Sequence, residues 1–151
     1  MSENAPQPRL AATVLLLRQR EEMEVFMIVR HKDIEFASGM LVFPGGSVDD
    51  SDSDDGVRAL CGDTTGIDDD QLTLQVAAIR EAFEECGVLL ARDETGELIN
   101  QDRLRDLEHY RKPLDKNEIS IRDFLEREKL TLACDRLQAY AHWVTPEGAP
   151  K

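Results

Sequence analysis

Apolar residues recur at helical spacing over residues 72–86, where Leu72, Val76, Ile79 and Phe83 share one sector of a helix turning about 100° per residue. Glu81, Glu84 and Glu85 stand at i, i+3 and i+4 and fill a narrow sector opposite, so the helix has a core stripe and a carboxylate face. Gly87 suits a left-handed cap that ends the helix and releases residues 88–90 into an extended segment. Upstream, apolar and partly β-branched residues 11–17, a charged turn at 18–22 and apolar residues 25–29 predict a two-stranded hairpin. Residues 40–43 read as a short buried strand leading into Pro44-Gly45-Gly46. Downstream, residues 88–91 and 98–99 flank a turn-like cluster at 92–97. Helical periodicity returns over 101–111, with Leu104 and Leu107, and over 120–129, with Ile121, Phe124 and Leu125 behind a candidate cap at Ser120. Residues 101–130 are expected to form an accessory helical segment. Periodicity alone places the chain in the α/β or α+β class.

Composition narrows the field. A chain of 151 residues with 41% apolar residues suits one domain with one core. Its net charge of −13, from 18 basic and 31 acidic residues, repels nucleic-acid backbones and anionic membranes, so neither is an expected partner. Cys61, Cys86 and Cys134 form no close pair and read as reduced thiols. No apolar run approaches the roughly 18 residues of a membrane span, and polar residues 1–9 read as a mobile arm, so a cytoplasmic protein is expected.

The acidic run at 49–56 puts Asp50, Asp52 and Asp54 at the first, third and fifth positions of an EF-hand loop. Asp55 and Cys61 replace the glycine and the final glutamate that such a loop requires, which excludes it. Residues 53–70 read instead as an acidic insertion, disordered or briefly helical, with 57–60 its one sticky segment, and dispensable for stability. Arg30, His31 and Lys32 make a small basic island.

The carboxylate face carries the chemistry. Like charges at i,i+3 and i,i+4 repel by a few tenths of a kcal/mol per pair, and no lysine stands among them. Oxygen-only ligands on a rigid helix suit Mg²⁺ or Mn²⁺, which keep several waters and grip substrate phosphates. Two glycines at 45 and 46 let the backbone approach such a group closely.

The run Arg80-Glu81-Ala82-Phe83-Glu84-Glu85-Cys86-Gly87-Val88 resembles the second half of the Nudix hydrolase signature, G-x5-E-x7-R-E-U-x-E-E-x-G-U with U aliphatic. Gly45-Gly46 behind Phe43-Pro44 resemble its opening glycines, and Asp52 stands where the signature has glutamate. Far more than seven residues then separate Asp52 from Arg80, so an insertion splits the signature. These departures resemble a branch that includes acyl-CoA diphosphatases. Of that branch's R-x3-G-x3-F-P-G-G pattern, Gly39 and Phe43 fit, while Glu35 replaces the arginine.

The resemblance implies an α/β/α sandwich with a mixed sheet over residues 10–151, incomplete at its C-terminal end. It implies metal-dependent hydrolysis of a nucleoside-diphosphate-linked substrate of the CoA ester, nucleotide sugar or dinucleotide type. Glu81, Glu84, Glu85 and the Gly45 carbonyl would hold Mg²⁺ or Mn²⁺, and Arg30 and Gly46 would contact substrate. Arg80 joins the three glutamates in the catalytic group as an organiser that pairs with Asp52 or Glu84. A ligand-sensing or interaction module on the same scaffold is the alternative. Because the family draws further strands and a helix from sequence after the signature, the chain is expected to be a truncated, weakly active form, or to pair its sheet with a second copy as a homodimer.

Overall fold

A computed structural model of the chain describes residues 8–29 and 39–145. Its organising element is the helix α2 (Asp69–Cys86). The Asp68 side chain accepts from the Gln71 N–H, which satisfies one of the orphan donors of the first turn. Asp69 and Asp70 place negative charge where the helix dipole favours it. Gly87, at φ 73°, ends the helix in the left-handed conformation that the sequence predicts.

Two faces of α2 are buried against different partners. Leu72, Val76, Ile79 and Phe83 enter the main core. The small residues Ala77, Ala78 and Ala82 form a second cluster with Ala12 and Val14, where the lack of bulk lets the strands lie close to the helix. The third sector carries the glutamates.

The strands form four two-stranded pieces: β1 (Ala11–Thr13) with β6 (Gly45–Ser47), β2 (Leu17–Gln19) with β3 (Met23–Val25), β4 (Ile28–Val29) with β5 (Leu41–Val42), and β7 (Ala91–Arg92) with β8 (Thr131–Leu132). All four pairs are antiparallel, and an isolated bridge between Cys61 and Leu132 is parallel. The predicted hairpin exists only around its turn, as the β2–β3 pair, while residues 11–13 pair with 45–47 and residues 28–29 with 41–42 instead of with each other. The predicted strand at 40–43 exists as β5 but is not buried, since Met40 is 59% and Leu41 60% exposed.

The main core corrects two expectations. Residues 101–130 are not accessory. They form α3 (Gln101–Leu107), a 3-10 turn, α4 (Arg111–Asp115) and α5 (Ile121–Glu128), and the Ser120 side chain caps α5 by accepting from the Asp123 N–H. Leu107, Leu114, Ile121, Phe124 and Leu125 are all buried, and the Phe124 ring stacks on Phe83 at 5.5 Å. Periodicity shows that such helices have an apolar face but not what that face covers.

The insertion is not loose either. Its one turn of helix, α1 (Asp55–Arg58), buries Val57 completely in the same core. Cys61 lies beside it, and backbone bonds of 2.8 Å from Gly62 N to Leu132 O and from Leu132 N to Leu60 O tie the segment to β8. A few anchoring contacts suffice to order a polar segment that composition alone marks as loose. Among the described residues, no helix is long and apolar enough to cross a membrane.

Candidate functional site

Arg80 sits on α2 beside Asp52, the residue after which the insertion leaves the fold. Its guanidinium grips Asp52 with two bonds, Nε to Oδ1 at 2.8 Å and Nη2 to Oδ2 at 3.0 Å, the fork geometry that suits arginine to carboxylates. Nη2 also donates to the Ser47 carbonyl at 2.9 Å. Nη1 donates to Glu81 Oε1 and Glu84 Oε2, each at 3.0 Å. Asp52 is itself fixed by a capping box, in which the Asp49 N–H donates to Asp52 Oδ2 at 2.8 Å and Asp49 Oδ1 accepts from the Ser51 N–H at 2.9 Å. Two residues far apart in sequence are thus joined by a buried ion pair. Burial by itself lowers the pKa of Arg80, but Asp52, then Glu84 and Glu81, raise it well above its ordinary value, so the group stays charged.

The three glutamates differ in burial and in what else they meet. Glu85 is exposed and faces the glycines, with its Oε2 accepting the Gly45 N–H at 2.9 Å. Glu81 lies against Gly46 so closely that a Cβ there would stand 2.5 Å from its carboxyl carbon. Glu84 shares Arg80 Nη1 with Glu81 but is more deeply buried. Its side chain is only 5% exposed, and Oε1 is buried without a hydrogen-bond partner. Burial pushes the Glu84 pKa up to about 7, with Arg80 partly opposing it and the Glu81 and Asp115 charges adding to it. Glu81 is raised by the same burial, again opposed by Arg80 and assisted by Glu85.

A cleft of about 190 Å³ opens over Arg80, Glu81 and Glu84, walled by Ser47 to Asp49 on one side and by Leu114, Asp115 and Asn117 on the other. Sequence reading groups Glu81, Glu84, Glu85, Arg80, Gly45 and Gly46, and the structure brings them together, with Arg80, Glu81 and Glu84 lining the cleft and Glu85 and the two glycines next to it. It misses the second wall, because nothing in the spacing of residues 114–117 ties them to α2. It also misses Arg111, whose guanidinium donates to the Glu84 carbonyl at 3.0 Å and the Glu85 carbonyl at 3.0 Å and so closes the end of the helix. Arg30, with His31, Lys32 and Glu35, lies outside the described residues.

The donor set suits a hard cation. Every candidate ligand is an oxygen, and Glu84 carries a buried acceptor with no donor facing it. An unpaired buried acceptor costs about 1–3 kcal/mol, so a ligand that satisfies it is favoured. Among the described residues no group of three or more His, Cys, Asp or Glu side chains is arranged to hold a metal by itself. A magnesium-type ion bound through one or two carboxylates, waters and substrate phosphates does not require one.

Comparison with known proteins agrees with this geometry. The NUDIX domain family matches residues 7–151. A crystal structure of a NUDIX hydrolase from Alicyclobacillus acidocaldarius superposes with a TM-score of 0.73 at 30% identity, over 95% of this chain and 65% of that one. The chain therefore spans less than two thirds of that neighbour's length. No curated protein matches it. With the family match covering nearly the whole sequence and the split signature reunited by the Arg80–Asp52 pair, the chain belongs to the Nudix family.

Proposed function

We propose that the chain is a divalent-metal-dependent hydrolase that cleaves the diphosphate of a nucleoside-diphosphate-linked small molecule, of the CoA ester, nucleotide sugar or dinucleotide type. The observation that carries the reading is Glu84 Oε1, a buried acceptor left unpaired inside a carboxylate cleft that Arg80 holds in shape. Glu81, Glu84 and Glu85 would hold Mg²⁺ or Mn²⁺, with the Gly45 carbonyl beside them. The ion, when bound, supplies neutralisation of diphosphate charge and a lowered pKa for the attacking water.

The chain's own groups set up the rest. Arg80 fixes one oxygen each of Glu81 and Glu84, which leaves the second oxygen of each for the ion or for a proton. The Asp52 pair holds the guanidinium in its buried place, so Arg80 organises carboxylates rather than clamping substrate. Gly46 keeps the approach to Glu81 open, because any side chain there would meet its carboxylate. The split signature, with Asp52 in the place of glutamate, supports placing the chain in the branch that includes acyl-CoA diphosphatases. CoA esters are accordingly the first substrates to try.

Calorimetric titration with Mn²⁺ tests the ion assignment. Glu85 is exposed and its loss leaves the core untouched, so Glu85→Gln should weaken binding by about 10-fold or more while thermal unfolding stays near the wild-type value. Equal Mn²⁺ affinity in the two proteins would remove Glu85 from the site.

A further inference from the structure

We propose that Asp115, with Asn117 two residues on, completes the ion site on the Glu84 side, so that a divalent cation is held between helix α2 and the end of α4. The proposal rests on the metal-dependent reading above and extends it to residues outside the signature. Asp115 closes α4, and Asn117 follows in the left-handed conformation at φ 54°. Both line the cleft that Glu84 floors.

Three observations converge on this wall. Glu81 and Glu84 both line the cleft, and Glu84 is the more buried of the two, its side chain 5% exposed against 15% and its Oε1 unpaired. Rotation about the last side-chain bond of a glutamate is soft, so either carboxylate oxygen can be presented to the cleft. Asp115, unlike most charged groups nearby, makes no hydrogen bond or ion pair among the described residues. The other acid on the rim is committed, since Asp49 Oδ1 takes the Ser51 N–H and its backbone N–H bonds Asp52.

The turn that carries these residues is firmly built. Leu114 is buried in the main core, the Asn117 N–H donates to the Leu114 carbonyl at 2.8 Å, and the Glu118 N–H donates to the Pro113 carbonyl at 2.8 Å. Arg111, one turn earlier, bonds the carbonyls of Glu84 and Glu85. Asp115 and Asn117 are thus held in fixed register with the glutamates by a helix bolted to the end of α2. An oxygen pair from Asp115 and Glu84, with the amide oxygen of Asn117 available, gives the hard, oxygen-only surroundings that Mg²⁺ and Mn²⁺ prefer.

The test is Mn²⁺ titration of the full chain by calorimetry and by the paramagnetic resonance signal of free Mn²⁺, with no substrate present. Asp115→Asn should weaken binding about 10-fold or more. Asn117→Gly keeps the left-handed backbone and removes the amide, and should give a smaller loss in the same direction. Glu118→Gln changes the net charge equally three residues away and should leave the affinity unchanged. Wild-type affinity in Asp115→Asn, or an equal loss in Glu118→Gln, would overturn the proposal. If those results come while Glu85→Gln still weakens binding, the metal-dependent reading survives without Asp115; if wild type binds no Mn²⁺ without substrate, this proposal falls, and the metal-dependent reading falls with it only if hydrolysis is also indifferent to Mg²⁺ and Mn²⁺.

Discussion

At the scale of single residues, Arg80 and Glu84 carry opposite burdens. Asp52 is fully buried and depends on Arg80 for its charge balance, so Arg80→Ala strands an uncompensated carboxylate and should cost about 3–5 kcal/mol of stability. Denaturant unfolding checks this, and it separates a structural loss from the further loss of activity that disordered glutamates would cause. Glu84 behaves differently. Its folded-state pKa lies above its ordinary value of 4.5, at about 7, so the native state holds a proton that the unfolded state releases. Stability from this group is therefore fully present below pH 4.5 and is lost as pH rises towards 7. In metal-free solution the thermal midpoint should fall across that window, and Glu84→Gln should flatten the fall; saturating Mg²⁺ should offset it, because the ion favours the deprotonated form. An identical slope in the two proteins would contradict the buried, raised carboxylate. The positions of these groups on one helix face are legible in the spacing of the acids. Their inequality is not, since it depends on which acid Arg80, Gly45 and α4 happen to face.

At the scale of elements, the helix α2 and its cap at Gly87 follow directly from apolar periodicity and turn chemistry, and the hairpin before it follows only near its turn. The insertion and the 101–130 segment do not, because their apolar residues are few and their contacts lie far away in sequence. Val57 packs into the same core, with α1 against α5, and Phe124 meets Phe83 and Tyr110, in a core that local patterns cannot assemble. Phe124→Ala should cost about 3–5 kcal/mol through lost burial and the cavity left behind. Deleting residues 56–69 should lower the thermal midpoint by roughly 10 °C or more, at about 2–4 °C per kcal/mol for a chain of this size. A near-native midpoint after that deletion would show that Val57 and Cys61 fill space without holding the fold.

At the scale of the whole molecule, the two ends of the split signature are brought together by one buried ion pair, and the fold arranges its remaining mass around the helix that carries it. The sheet side is thin. Leu17, Met23, Val29 and Leu41 are 60% or more exposed, and the small alanine face of α2 supplies most of the packing there. The weight of the core lies on the other side, where α4 and the turn after it also deliver Asp115 and Asn117 to the cleft. The central claim is that this cleft hydrolyses diphosphates with a divalent ion. The most direct measurement follows phosphorus-containing products by nuclear magnetic resonance, from a panel of CoA esters, nucleotide sugars and dinucleotides, with Mg²⁺ or Mn²⁺, for wild type and Glu85→Gln. The account predicts cleavage at the diphosphate of at least one substrate class, lost on chelation and sharply reduced in Glu85→Gln. No cleavage of any of them by a folded, Mn²⁺-binding protein would contradict it and favour a ligand-sensing module instead.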